Sequence, residues 1–226
     1  MSYDYSENIL VQESAGNLLR DELGWDVRFA YNTEVLGKNG TFGRESYHEI
    51  LLLRYFREAL KKLNPWINDN QISEAQKILE NRLSTSSLLQ VNEEKYFLIR
   101  DGIPVTVKKP NGQTETKKAA VIDFKNPDNM ENNYFLAVKE LKIHGDLYRR
   151  RTDIVGFVNG IPLLFVELKK NTVDVQNAYD DNYTDYQDTI PHLFYYNAFL
   201  MLSNGTEAKV GTLGSKYEFF HEWKRL

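Results

Sequence analysis

Leu18, Leu19 and Leu23, with Ile9 and Leu10 before them, recur at roughly helical spacing, and Gly24 follows as a stop, so a helix is predicted over residues 6–23. Trp25 to Tyr31 reads as a strand, and Gly37 to Gly43 as a glycine-rich loop. The strongest helical pattern runs from Arg44 to Leu63, apolar at Ile50, Leu53, Leu60 and Leu63 and ended by Asn64-Pro65. Residues 72–83 and 88–99 read as two more helices.

From Ile103 onward the texture changes to short strands: Val105 to Lys108, a turn at Pro110 to Gln113, and Ala119 to Phe124. Tyr134 to Ile143 alternates as an extended segment. Asp153 to Lys169 forms a hairpin around Asn159-Gly160. Val175 to Gln187 is then expected to be helical, followed by strands over Ala198 to Ser203 and Ala208 to Leu213, joined at Asn204-Gly205. Tyr217 to Leu226 begins an amphipathic segment with aromatics at Phe219, Phe220 and Trp223, which reads as part of a longer chain. No repeat or low-complexity linker divides residues 1–226, so a single α/β domain is expected, with a central mixed sheet of about five strands flanked by helices.

The hairpin carries the most information. Ile161 to Val166 is apolar on both faces, the signature of a strand covered on both sides. Glu167 and Lys169 follow two residues apart and so share a face. A two-residue loop at Asn159-Gly160 would pair Asp153 with Val166 and turn the two acids to opposite faces. A three-residue loop, Asn159-Gly160-Ile161 with a glycine bulge, pairs Asp153 with Glu167, and this register is the one predicted. It would bring the two β-carbons to about 5 Å. Two carboxylates that close repel unless a cation lies between them, and hard oxygen donors select Mg²⁺, with Mn²⁺ as substitute. Lys169 would then orient or deprotonate an attacking water or neutralise developing charge, and the Leu168 carbonyl is a further metal ligand in this reading, beside Asp153 and Glu167.

With 226 residues the chain is long enough for a substantial core. It has no cysteine, which excludes disulfides, thiol catalysis and cysteine zinc sites. Neither a secretory signal nor an uncharged apolar run of membrane-spanning length is visible, so a cytoplasmic location is expected. The net charge of -4 counts mildly against a nucleic-acid partner. Local basic clusters act in the opposite direction: Lys117-Lys118, Lys169-Lys170 and Arg149-Arg150-Arg151, whose guanidinium forks suit phosphate.

Asp153 with Glu167-Leu168-Lys169 matches the D…ExK core of the PD-(D/E)xK nuclease superfamily. The run from Arg151 to Lys170, with Pro162 at the turn–strand junction, resembles the nuclease segment of the R subunits of type I restriction-modification enzymes. Gly43-Arg44-Glu45, Leu63-Asn64-Pro65 and Leu202-Ser203-Asn204-Gly205-Thr206 resemble other parts of the same domain, so the likeness runs over nearly the whole chain.

The resemblance implies a restriction-endonuclease-like core in which Asp153, Glu167 and Lys169 are catalytic, cutting DNA with Mg²⁺ after ATP-driven translocation by helicase-like domains downstream. No G-x-x-x-x-G-K-[ST] occurs here, so ATP would bind only in those domains. The implied partners are double-stranded DNA and the methylation and specificity subunits. The family's Q-x-x-x-Y pair is represented by Asn182 and Tyr186, supporting residues in which a shorter amide stands for the glutamine; Gln176 fits the spacing less well. Many superfamily members supply an acid from their first core helix, a role open to Glu49, with His48 beside it. Arg149, Arg150, Arg151 and Lys170 are the expected DNA contacts. The alternatives are another nuclease of the superfamily, for repair or junction resolution, and a non-catalytic DNA-binding or assembly module.

Overall fold

A computed structural model of the chain describes residues 3–82, 86–125 and 130–223, with side chains from residue 10 onward except that of Met130. The Ile9 side chain, Leu83 and residues 224–226, each part of a predicted element, lie outside the described residues.

The buried hairpin is the centre of the molecule. Its strands, β7 (Ile154–Val158) and β8 (Ile161–Leu168), pair antiparallel. On the far side of β7 lies β4 (Phe135–Lys139), antiparallel to it, and beyond that β1 (Asp26–Phe29), parallel to β4. On the far side of β8 lies β9 (Phe199–Ser203), parallel to it, then β10 (Ala208–Gly211) and the short β11 (His221–Glu222), both antiparallel to their neighbours. The order β1-β4-β7-β8-β9-β10-β11 makes a mixed sheet of seven strands, two more than expected.

Both faces of this sheet are covered, as the two-sided apolar pattern of β8 requires. Val155, Phe157, Ile161 and Phe165 join the larger cluster with Phe56, Leu60, Tyr183, Tyr186 and Phe194. The alternate residues Ile154, Leu164, Val166 and Leu168 point the other way, where Leu19 packs on them with Val11 and Ala15 of α1 (Tyr3–Asn17). Helices α2 (Leu53–Leu63), α3 (Asp69–Glu80) and α4 (Leu88–Asp101) supply much of the larger cluster. Asn68 and Ser87 start α3 and α4 with reciprocal capping boxes. No helix among the described residues is long and apolar enough to cross a membrane.

Three predicted elements need correction. The helix expected from Arg44 begins only at Leu53, because tertiary partners take the backbone groups of residues 44–52. Leu52 N donates to Gly160 O, Tyr47 O accepts from His144 N, and Glu49 O accepts from the Arg44 guanidinium. Arg44 is itself fully buried against Glu34 at 2.7 Å. The strand expected at Ala119–Phe124 lies earlier, as β3 (Thr114–Ala119) against β2 (Ile103–Lys108), since the turn at Lys109–Gln113 fixes the register of that hairpin. Val121 and Ile122 are buried without joining a strand.

The extended run Tyr134–Ile143 breaks at Glu140, a positive-φ residue (55°) between β4 and β5 (Lys142–His144). Within the expected amphipathic segment, Tyr217–Phe219 is a short 3-10 turn leading into β11.

Candidate active site

The hairpin turn is the two-residue Asn159-Gly160, both at positive φ (52° and 80°), not the three-residue loop expected. The extra residue sits further along: Gly156 faces Leu164 and Phe157 faces Pro162, so Leu163 bulges out of β8. The offset is nevertheless the one predicted. Ile154 pairs with Val166, and Asp153 stands opposite Glu167 at the strand ends. Glu167, two residues beyond Phe165 in β8, lies on the face of the larger cluster, while Asp153 sits in the bend just before β7.

Asp153 has both carboxylate oxygens held. Oδ2 accepts from Leu168 N at 2.7 Å, and Oδ1 accepts from Gln12 Nε2 at 2.8 Å. Burial raises its pKa, opposed by those two hydrogen bonds; the Glu140 charge raises it further and the Lys169 charge lowers it. Glu167 is more deeply enclosed, 3% exposed. Burial holds its carboxyl well above the ordinary glutamate value; the Asp153 charge adds to that and Lys169 opposes it. Glu167 Oε2 is buried with no hydrogen-bond partner. A buried carboxylate oxygen left bare is costly, so it carries a proton or faces a cation. The carboxylates of Asp153 and Glu167 supply oxygen donors of the kind a small hard divalent ion takes. Among the described residues no group of three acidic, histidine or cysteine side chains is disposed to hold a metal, so protein donors alone would leave such an ion open to further ligands.

Lys169 leaves β8 with its N–H on Ser203 O at 2.8 Å, which fixes where its side chain starts. Its ammonium donates to Asn182 Oδ1, so the amide standing in place of the family's glutamine does reach the lysine. Asn182 Nδ2 contacts the Tyr186 hydroxyl at 3.5 Å, and that hydroxyl donates to Arg151 O at 3.0 Å. The helix carrying this pair is not uniform. Ala178–Tyr183 is a π-helical segment that runs into α5 (Thr184–Thr189), a widening that shifts which residues share a face. Asn182 is the next-to-last residue of the widened segment, and Tyr186 lies in the first turn of α5.

Of the other expected site residues, the arginines diverge. Arg149 to Arg151 form β6, paired with β5. The Arg150 guanidinium is held in a fork by Asp185 at 2.6 and 2.8 Å. Arg151 pairs with Glu140 at 3.0 Å and lies over the Tyr31 ring. Arg149 is exposed and forms no ion pair among the described residues. Lys170 is half-buried just past β8. Gln176 caps no catalytic group; its amide reaches Asp180 on its own helix.

Glu49 is not on a helix and does not join the two acids. Its carboxylate accepts from Glu45 N at 3.0 Å. Together with His48, Glu80, Arg82 and His192 it lines a separate pocket of about 230 Å³, in which the His48 and His192 rings stack.

Gln12 and Glu140 are the site-adjacent residues that sequence reasoning missed. One signal was present: Gln12 lies three and seven residues before Ala15 and Leu19, on the side of the N-terminal helical run that packs on the sheet, where a buried polar side chain calls for a partner.

A covered mixed sheet whose central hairpin brings two acids and a lysine together defines a restriction-endonuclease-like core. Within that class the sequence fixes the family. Residues 4–219 match the family described as Type I restriction enzyme R protein N terminus, and the chain belongs to it. Among its relatives is the type I restriction enzyme HindI endonuclease subunit of Haemophilus influenzae, 32% identical over 206 residues, covering 89% of this chain and 19% of that protein. Another is the putative type I restriction enzyme MjaIXP endonuclease subunit of Methanocaldococcus jannaschii, 30% identical over 186 residues, covering 80% of this chain and 17% of that protein. The chain thus spans less than a fifth of the length of these two relatives.

Proposed function

We propose that the chain is the DNA-cutting domain of a type I restriction enzyme endonuclease subunit, hydrolysing phosphodiester bonds of double-stranded DNA with Mg²⁺, for which Mn²⁺ can substitute. The observation that carries this reading is Glu167: a fully enclosed carboxylate with a bare oxygen, facing Asp153 and next to Lys169. A fold has little reason to keep such a costly group unless a ligand meets it. Asp153, Glu167 and the Leu168 carbonyl would hold the cation, which supplies Lewis-acid polarisation of the scissile phosphate and a counter-charge to the two acids.

The remaining chemistry belongs to the chain's own groups. Lys169, its ammonium steadied by Asn182, offers a positive charge where negative charge builds on the phosphorane. Tyr186 touches that amide and donates to the main chain of β6, which connects the lysine, the helix and the strand. Among the three arginines, exposed Arg149 is the one free to meet a phosphate; Arg150 and Arg151 brace the scaffold instead. Lys170 is a further basic group beside the site. In the full-length protein, helicase-like domains outside this chain would bind ATP and translocate DNA, and methylation and specificity subunits would select the sequence, in the cytoplasm.

The test is Asp153→Ala in the complete complex. Loss of double-strand cutting with ATPase and translocation intact is the expected result, and unchanged cutting would overturn the reading.

A further inference from the structure

The Asp153 carboxylate is gripped from two directions. From its own hairpin, Leu168 N holds Oδ2. From α1, which packs on the opposite face of the sheet, Gln12 reaches round the strand ends and holds Oδ1. The second hydrogen of the same amide goes to Glu140 Oε1 at 3.2 Å. Both acceptors are carboxylates, which fixes the orientation of the amide with nitrogen inward.

Glu140 is fixed in turn. Its N–H donates to Asp153 O at 2.8 Å, and its second carboxylate oxygen takes the Arg151 guanidinium at 3.0 Å. A relay therefore runs from Arg151 through Glu140 and Gln12 to Asp153. The relay adds no ligand of its own, and each Asp153 oxygen accepts one hydrogen bond, leaving each with further acceptor capacity.

We propose that Gln12 is a positioning residue for the cation site: it locks the rotation of the Asp153 carboxylate so that the pair formed with Glu167 is preorganised, and Glu140 with Arg151 holds the Gln12 amide in register. This inference rests on the metal-dependent reading above. A carboxylate held by one hydrogen bond swings about its Cβ–Cγ bond, whereas one held at both oxygens does not, and loss of such outer contacts typically weakens metal binding about 10- to 100-fold.

The experiment measures Mn²⁺ affinity of the nucleotide-free full-length subunit by electron paramagnetic resonance, with melting temperature in EDTA as the structural control. Gln12→Leu keeps the volume and removes the donors; it is expected to bind Mn²⁺ about tenfold more weakly while melting close to wild type in EDTA. Glu140→Ala, which frees the amide without touching it, should weaken binding in the same direction by less. Because both act through one contact, the double variant should be no worse than Gln12→Leu alone.

Should Gln12→Leu fail to melt cooperatively, Glu140→Ala carries the test alone. Wild-type Mn²⁺ affinity in the variants, or fully additive losses, would overturn the relay and leave the metal reading standing. A wild-type subunit that binds no Mn²⁺ at this site would overturn the metal reading and the relay with it.

Discussion

Asn182 joins Lys169 to Tyr186 in the proposed site. Its carbonyl oxygen takes the Lys169 ammonium and its nitrogen leans on Tyr186, although an amide one methylene shorter than glutamine has less reach. A hydrogen bond to a charged group contributes roughly 1.5–3 kcal/mol, so Asn182→Ala is expected to slow cutting by about 10- to 100-fold while ATPase activity is unchanged. Asn182→Gln should keep most of the cutting rate, and Tyr186→Phe should lose less than Asn182→Ala because it removes a hydroxyl one contact further from the lysine. Cleavage of a translocated substrate, followed beside ATP hydrolysis, checks all three; cutting by Asn182→Ala at the wild-type rate would remove the amide from the site. Asp153, Glu167 and Lys169 were legible because strand alternation sets them at one end of the hairpin and because they resemble the D…ExK pattern, whereas Asn182 and Tyr186 came only from the resemblance to the Q-x-x-x-Y pair. Gln12 was not, since its contact with Asp153 spans 141 positions and only its odd polarity on a buried helix face hinted at a partner.

The hairpin and the segment that clasps its tip show why local pattern succeeds in one place and fails in another. In β7 and β8 the apolar alternation, the Asn159-Gly160 turn and the neighbours in the sheet all favour one arrangement, and even a misplaced bulge left the register at Asp153 unchanged. Residues 44–52 carry a helical pattern, yet Arg44 overrides it. Its guanidinium binds the Glu34 carboxylate, Glu49 O and Lys142 O, all within a fully buried setting, and so draws a main-chain carbonyl out of any helical bonding. Removing one partner of a buried pair leaves the other charge stranded, so Arg44→Ala should cost about 3–5 kcal/mol in chaotrope unfolding. Replacing both, as Arg44→Met with Glu34→Leu, should cost much less by the same argument. If the single variant unfolds at the wild-type midpoint, the clasp is not what holds this segment open.

Charge also ties the stability of the fold to its chemistry. A carboxyl whose folded pKa lies above its unfolded value contributes stability that is complete below the unfolded value and is lost as pH rises through the folded one. Asp153 and Glu167 both shift this way, chiefly by burial, so the cation-free protein weakens on their account as pH climbs above the ordinary acid values of 3.8 and 4.5. His192 acts from the other side. Burial lowers it from 6.5 to about 4, so its contribution is present above 6.5 and is lost as pH falls through 4. The cation-free stability should therefore decline in both directions, with the alkaline limb set by the two buried acids. Glu167→Gln deletes the buried charge while keeping its shape. In EDTA at pH 8.5 it is expected to gain about 1–3 kcal/mol over wild type, an advantage that fades toward pH 4, where the glutamate is protonated in both folded and unfolded chains. Mn²⁺ should raise the wild-type melting temperature more at pH 8.5 than at pH 5.5 and leave Glu167→Gln nearly unmoved, because the ion replaces the proton that the bare oxygen otherwise needs. A Glu167→Gln protein less stable than wild type in alkaline EDTA would mean that the carboxylate is satisfied within the fold, and the reason for placing a cation beside it would be gone.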